Sequence, residues 1–331
     1  PLSASWGKLL HLRPFEGQPV ISLTGGAALK HGYVGQLTAG EIHLYLHESP
    51  PDQAGTGDQP RIRPDRMVAI HQVRPNSLQL SGELQQWKVW FVEGQPAEDA
   101  QGADGDAVAD DARKERAGVP GEGRSTRLQA GSDRRKSPLA AATSSAGALA
   151  GPHFEIFAES LETRVIMWPD RSEVSDLTVE GNVRLTQTRT STPEERPLEL
   201  TAEFAHVEHA SQPYRTVTIT GSPAHFEARG LGMTGSNINL NSGTNRLWID
   251  GPGWMDLPMD RDLEGRRLGE PGRLKVEWQR GMSFDGHTAR FEESVLATSG
   301  HSSGQSHLET ETLEVSVLPH VRFADVNREP E

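Results

Sequence analysis

Two short glycine motifs, two histidine pairs and two pairs of acids are the groupings in this chain whose residue types and spacing could do chemistry. Gly230-Leu231-Gly232-Met233-Thr234-Gly235 matches G-x-G-x-x-G. A dinucleotide site needs a strand before that motif and a helix opening within it, so that phosphate meets a helix N-terminus. Here Ile238 and Leu240 continue a strand-like alternation, and the motif reads as a hairpin turn. Gly300-His301-Ser302-Ser303-Gly304 matches G-x-S-x-G, but a nucleophile elbow also needs a helix after its serine. Another strand pattern follows, so this is a polar hairpin loop.

His43 and His47 share one face of a strand, about 13 Å apart at roughly 3.3 Å per residue. That is too far for one ion bound by His nitrogens at about 2.0–2.1 Å. His206 and His209 point to opposite faces unless a bulge intervenes. Glu194-Glu195 and Glu292-Glu293 fall at turns or strand ends, without the apolar cleft that general acid–base work requires. The chain has no cysteine, which excludes disulfides, thiolate metal sites and cysteine nucleophiles. These residues predict no catalytic group, no metal site and no cofactor. The chain reads as a protein that is not an enzyme.

What the chain repeats is an apolar pattern, Φ-x-[Ala/Gly/Thr]-x-x-Φ-x-Φ with Φ apolar. It occurs as Leu37–Leu44 (LTAGEIHL), Leu200–Val207 (LTAEFAHV), Met233–Leu240 (MTGSNINL), Phe284–Phe291 (FDGHTARF) and Leu308–Val315 (LETETLEV). Ile156–Thr163 (IFAESLET) ends in Thr, and Leu80–Trp87 (LSGELQQW) fits only with one residue bulged out. A unit that cannot bury its apolar face alone must stack on its neighbours.

Around these copies the signal is alternation with period two. Ile42, Leu44 and Leu46 share a face, as do Leu198, Leu200 and Ala202, Val217 and Ile219, Ile238 and Leu240, and Leu313, Val315 and Val317. The intervening positions, Asn239 among them, are polar and point to water, which is the antiparallel pattern. Gly25-Gly26, Gly181-Asn182, Gly221-Ser222-Pro223, Asn241-Ser242-Gly243, Gly251-Pro252-Gly253 and Asp285-Gly286 punctuate the strands with turn or bulge chemistry. The best helical window, Asp110–Ala117, is polar all round. The expected class is all-β, with repeated antiparallel strands.

Composition bounds the rest. The chain has 331 residues and a formal charge of −13, which argues against a nucleic-acid partner. No apolar run is long enough to span a membrane as a helix. It starts at Pro1 without an apolar leader, which reads as a fragment or processed product and leaves export open. Residues 94–152 hold almost no large apolar side chains, with acids over 98–111 and bases over 124–136. They are expected to form a disordered linker. Two β units remain, 1–93 and 153–325, the second interrupted by a polar loop at 258–272. Whether they form one stack is not decided by the sequence.

A second element accompanies the repeat, a strand running into Gly-[Asn/Ser/Gly]-x. It appears at Leu23-Thr24-Gly25-Gly26-Ala27, Val179-Glu180-Gly181-Asn182-Val183 and Ile219-Thr220-Gly221-Ser222-Pro223. The order of these motifs from Leu177 to Gly253, with weaker copies over 20–46 and 274–317, resembles the OstA-like family. That family comprises the periplasmic bridge protein of lipopolysaccharide transport, its inner-membrane partner and the periplasmic domain of the outer-membrane translocon. The resemblance implies an open β-jellyroll, or V-shaped β-taco, whose sheets enclose an apolar groove for acyl chains. It also implies a periplasmic place in the cell envelope, a lipopolysaccharide or other multi-acylated lipid as cargo, and head-to-tail contact with other jellyrolls. A membrane anchor in the full-length protein stays open. The long linker, the presence of more than one family-length unit and the irregular copies at 78–92 and 153–166 depart from the pattern.

Without a helix to cover an apolar face, two sheets must face each other. If they splay, the interior is a slot where each buried CH₂ gains about 0.8 kcal/mol. The expected lining is Leu44, Leu46, Phe204, Val207, Ile238, Leu240, Trp248, Phe284, Phe291, Leu313 and Val315. Open strand edges at the two ends, Leu313–Leu318 above all, are expected to add strands from another jellyroll or a second copy. Two other readings are weighed, a closed structural core and a β-helical carbohydrate-active enzyme or adhesin. The irregular spacing of the repeats, with starts at 156, 200, 233, 284 and 308, argues against the constant coil period of a β-helix.

Overall fold

The computed structural model describes residues 2–31, 35–49, 61–94, 152–168, 171–190, 196–228, 230–261, 267–301, 304–316 and 322–323. The linker expected at 94–152, all but its two end residues, and the helical window Asp110–Ala117 lie outside that set. The described residues form sixteen β-strands and no α-helix. They are β1 (Leu2–Ser5), β2 (Leu9–Phe15), β3 (Gln18–His31), β4 (Gly35–Ser49), β5 (Arg61–Ser77), β6 (Leu80–Glu93), β7 (His153–Met167) and β8 (Ser172–Arg189). Then follow β9 (Glu199–Glu208), β10 (Thr216–Ala228), β11 (Leu231–Asn241), β12 (Arg246–Arg261), β13 (Arg267–Trp278), β14 (Gly281–Phe284), β15 (Thr288–His301) and β16 (Gly304–Ser316). All sixteen belong to one sheet, in which β3 to β12 lie in chain order.

Neighbours are antiparallel, with one exception. β6 and β7 pair in parallel from Leu80 opposite Phe154 to Glu93 opposite Met167. The strands on either side of the 95–151 segment therefore share a ladder, and their described residues belong to one compact unit. The polar stretch 258–272 differs from the expected loop, because β12 runs to Arg261 and β13 starts at Arg267.

Nearly every strand bends at mid-length, and the bends line up across the sheet. At most bends one strand carries an extra residue or more against its neighbour, which is a β-bulge, and in four ladders two residues stand against one. Gly25 and Gly26 of β3 face Gly40, His71 and Gln72 of β5 face Gln85, Gly181 and Asn182 of β8 face Glu203, and Glu293 and Ser294 of β15 face Glu311. All eight of the paired residues, and Gly251 of β12, have φ between 48° and 86°. That is the left-handed region, where glycine costs least and Asn is tolerated.

The bend explains the repeat. In β9, Leu200 and Ala202 face inward on one side of it and Ala205 and Val207 on the other. Leu37, Ala39, Ile42 and Leu44 do the same in β4, Ile156, Ala158, Leu161 and Thr163 in β7, Met233, Gly235, Ile238 and Leu240 in β11, and Leu308, Thr310, Leu313 and Val315 in β16. The two unspecified residues at the centre of the motif are the bend. Its third position is small because it sits inside the angle. A Cβ on Gly253 of β12, level with Gly235, would stand 2.8 Å from the Trp278 indole.

Two copies need correction. Phe284–Phe291 is not a bent strand, because it runs from the end of β14 through the turn at 285–287 into β15. In β6 the frame starts two residues later than expected, at Gly82, with Leu84, Trp87 and Val89 inward.

One apolar face of this sheet is buried although no helix or second sheet lies on it among the described residues. The two arms on either side of the bend therefore cover each other. Most of their inward residues form one hydrophobic cluster, with Trp278 of one arm packing against Phe291 of the other at 5.3 Å between ring centroids.

Candidate apolar binding surface

The ladder registers place inward residues side by side in rows. Nearest the bend on one arm runs Leu10, Leu23, Ile42, Ala69, Trp87, Leu161, Val179, Ala205, Ile219, Ile238, Ile249, Met282, Phe291 and Leu313. Two residues further out runs Leu12, Ile21, Leu44, Met67, Val89, Thr163, Leu177, Val207, Val217, Leu240, Leu247, Phe284, Ala289 and Val315. Each row crosses fourteen strands from β2 to β16. At about 4.8 Å per strand that is an apolar surface on the order of 60 Å long. Thr163 is the one polar side chain in it, and its hydroxyl accepts from the Trp87 indole N–H at 3.1 Å. Both belong to the apolar face at the β6–β7 junction, so the polar atom stays paired where water is scarce.

Burial falls away from the bend. Beside it, Ile42, Leu161, Ile249 and Phe291 are fully buried. One row out, Ile21, Leu44, Met67, Leu177, Val207, Val217, Leu240 and Phe284 are half-buried, whereas Val89, Thr163, Leu247 and Ala289 of the same row are buried. Further out again, Val165 is half-buried and Val174 is 41% exposed. At the β2 end of the rows Leu10 and Leu12 are exposed, the latter at 62%.

Nine of the eleven residues expected to line a slot lie on this face. Ile238, Phe291 and Leu313 stand in the inner row, and Leu44, Val207, Leu240, Phe284 and Val315 in the outer row. Leu46 follows Leu44 at the margin and is half-buried. Phe204 and Trp248 lie on the opposite face. Phe204 falls on the bend of β9, level with Glu180 and Thr220, because the bulge turns Ala202 and Ala205 inward around it. Its ring stacks on His206 at 6.2 Å and 26°. Trp248 stands between the inward Leu247 and Ile249, level with Asn239 and Ser283, with the Arg246 guanidinium 5.5 Å from its ring.

The expected lining omits Ile21, Met67, Leu177, Leu247 and Ile249, and also Val217, although the alternation places Val217 on one face with Ile219. These omitted residues belong to the strands that run back, where inward residues are mostly spaced 1, 3, 7, 9 instead of 1, 3, 6, 8, as in Leu177, Val179, Val183 and Leu185 of β8, and 1, 3, 8, 10 in β10. The Gly-[Asn/Ser/Gly] element is the bend of β3, β8 and β10, and reading it that way points to Ile21 and Leu177; β5 bends at His71-Gln72 and β12 at Gly251-Pro252, which lack it.

The outer face carries several paired polar side chains. His43 Nδ1 lies 2.9 Å from Ser22 Oγ and His206 Nδ1 2.8 Å from Thr178 Oγ1. Asn239 points outward as expected but is only 7% exposed, accepting from Thr218 Oγ1 at 3.2 Å. Arg273 binds Asp256 at 2.9 Å, and that hydrogen bond holds its guanidinium above the ordinary arginine value. At the β14–β15 turn the Asp285 carboxylate accepts from the Thr288 and His287 amides, which holds it below the usual carboxylate value. A hollow of about 320 Å³ opens there beside Phe284, Arg246 and Arg290.

Gly232 and Gly235 of the G-x-G-x-x-G sequence lie within β11, and Gly300 and Gly304 belong to β15 and β16, with Ser302 and Ser303 outside the described residues. Glu194-Glu195 is also outside them. His209 lies in the β9–β10 turn against Tyr214. No group of three or more His, Asp and Glu side chains is arranged to hold a metal ion among the described residues. No protein-family model matches the chain, and comparison with curated proteins finds no similar sequence.

Proposed function

We propose that this chain is a non-enzymatic lipid-binding component of the cell envelope, built as an open jellyroll of the OstA-like kind. In that reading it holds the acyl chains of lipopolysaccharide, or of another multi-acylated glycolipid, between its two arms in the periplasm. The observation that carries the reading is the pair of rows, apolar but for Thr163, in which eleven of the fourteen inner residues are buried but only four of the fourteen outer ones. A closed core would bury both rows alike. An acyl chain laid along the outer row would gain about 0.8 kcal/mol for each CH₂ removed from water, without any specific polar contact. The irregular linear spacing of the motifs also fits, since strands of unequal turns can still present the same four inward positions. The antiparallel ladder weighs against the β-helical alternative, whose coils stack parallel strands.

End-to-end assembly belongs to the same reading. β2 and β16 run in the same sense, each antiparallel to a neighbour of like direction, β3 and β15. A β2 edge docked on a β16 edge would thus form a parallel pair, and the β6–β7 ladder is such a junction within one chain. Trp6, Leu10 and Leu12 at one end and Leu308 at the other are exposed apolar residues that such contact would cover.

The test is purification from a membrane-envelope fraction followed by lipid extraction and mass spectrometry. A multi-acylated glycolipid in near-stoichiometric yield is expected. A protein that comes out free of lipid, and stays so when incubated with that glycolipid, would rule the reading out.

A further inference from the structure

We infer that Phe323 is a displaceable clasp over the margin of the apolar surface, holding it shut near β14 until a chain enters. The inference rests on the slot reading above and adds its regulation.

Beyond β16 the structure describes Arg322 and Phe323, and Phe323 is tied to three turns. Its N–H donates to Asn245 Oδ1 at 2.8 Å, in the β11–β12 turn. Its carbonyl accepts from Arg215 Nη2 at 3.5 Å, beside the β9–β10 turn. Its ring meets Phe284, the last residue before the β14–β15 turn, edge-on at 5.9 Å and 75°. Phe284 is a half-buried member of the outer row, and Phe323 packs against the same cluster. The ring therefore covers apolar surface that an acyl chain entering from the margin would cover instead.

The ties are of a kind that a chain can outcompete. Among the described residues one good hydrogen bond, one long one and an edge-on aromatic contact hold the clasp, with packing on the apolar cluster, whereas each methylene entering adds its own burial. Asn245 also donates from Nδ2 to the Asp285 carbonyl at 3.1 Å. The same side chain thus joins the clasp to the β14–β15 turn, so that release on one side loosens the other. Occupancy of the margin by Phe323 lowers apparent affinity in proportion to the closed fraction, because only the open form takes a chain.

The experiment is a fluorescence titration with cis-parinaric acid, a long-chain polyene fatty acid that brightens in apolar surroundings. Wild type, Phe323→Ala and Asn245→Gly are compared, the glycine chosen because Asn245 has φ 54°. Thermal unfolding verifies that all three are folded. If the clasp operates, both variants bind the probe at least about threefold tighter than wild type, by relief of the closed fraction. Equal affinity in all three proteins overturns the clasp and leaves the slot standing. Weaker binding by Phe323→Ala also overturns it, since the ring would then be part of the binding surface. Absence of probe binding in all three overturns the slot reading, and the clasp with it.

Discussion

Gly82 shows how much the architecture asks of one residue. It sits in β6 with φ 147°, and a Cβ there would overlap the carbonyl of Ile156 in β7. Side chains are excluded because the parallel ladder brings the two backbones together at this point. Gly82→Val should therefore destabilise the protein by about 1–3 kcal/mol through overpacking. Gly300→Ala, where nothing lies within 4 Å of the added Cβ, should stay within about 0.5 kcal/mol of wild type. Urea unfolding midpoints of the two variants measure this, and equal midpoints would show that the β6–β7 junction does not need the glycine. The same scale shows what alternation can and cannot tell. Ile238 and Leu313 were legible as inward from period two alone. Phe204 was not, because a bulge inside its motif reverses the parity that period two assumes. Trp248 was legible in principle, since Leu247 and Ile249 beside it fix the inward parity, yet its size outweighed its position. Asn239 was read correctly as outward, but the hydrogen bond from Thr218 and the packing of neighbours keep it from water.

At the level of strands, the forward copies of the repeat were plain and the returning strands were not. A forward strand crosses the bend with two residues between inward positions and so leaves a fixed eight-residue signature. Most returning strands cross with three, using left-handed pairs of different composition: Gly25-Gly26, His71-Gln72, Gly181-Asn182 and Glu293-Ser294. His71-Gln72 carries no turn residue, so nothing local marked it, and Glu292-Glu293, expected at a turn or strand end, lies inside β15 at its bulge. β14 and β15 look like one copy of the repeat because Phe284, Gly286, Ala289 and Phe291 fall in its frame across a turn. The edge strand β16 carries a prediction of its own. Its ladder with β15 leaves its other side without a strand among the described residues, and Val315 stands in the outer row opposite Ala289. Val315→Pro takes away a backbone donor and stiffens the edge. Wild type should form concentration-dependent end-to-end assemblies that this variant loses while keeping its β-sheet circular dichroism. Sedimentation velocity across a wide concentration range would decide it. A wild type that is monomeric throughout would contradict docking by that edge between copies.

For the whole molecule, the sequence read as all-β, and the structure has one sheet folded on itself. Whether the two β units shared a stack was not legible, because the partner of β6 is not the next residues but β7, across the 95–151 segment. No periodicity within either strand announces a parallel ladder. The central claim is that one face of this sheet takes up acyl chains and the other does not, and photocrosslinking with a position-specific benzophenone side chain tests it most directly. The crosslinker would be placed at Val207 and Leu240 on the inward face, and at Phe204 and Trp248, close by on the same sheet but facing out. In cells that make the glycolipid, the two inward positions should form lipid adducts and the two outward positions should not, with all four proteins verified as folded. Adducts of equal yield from both faces, or none from Val207 and Leu240, would contradict the account.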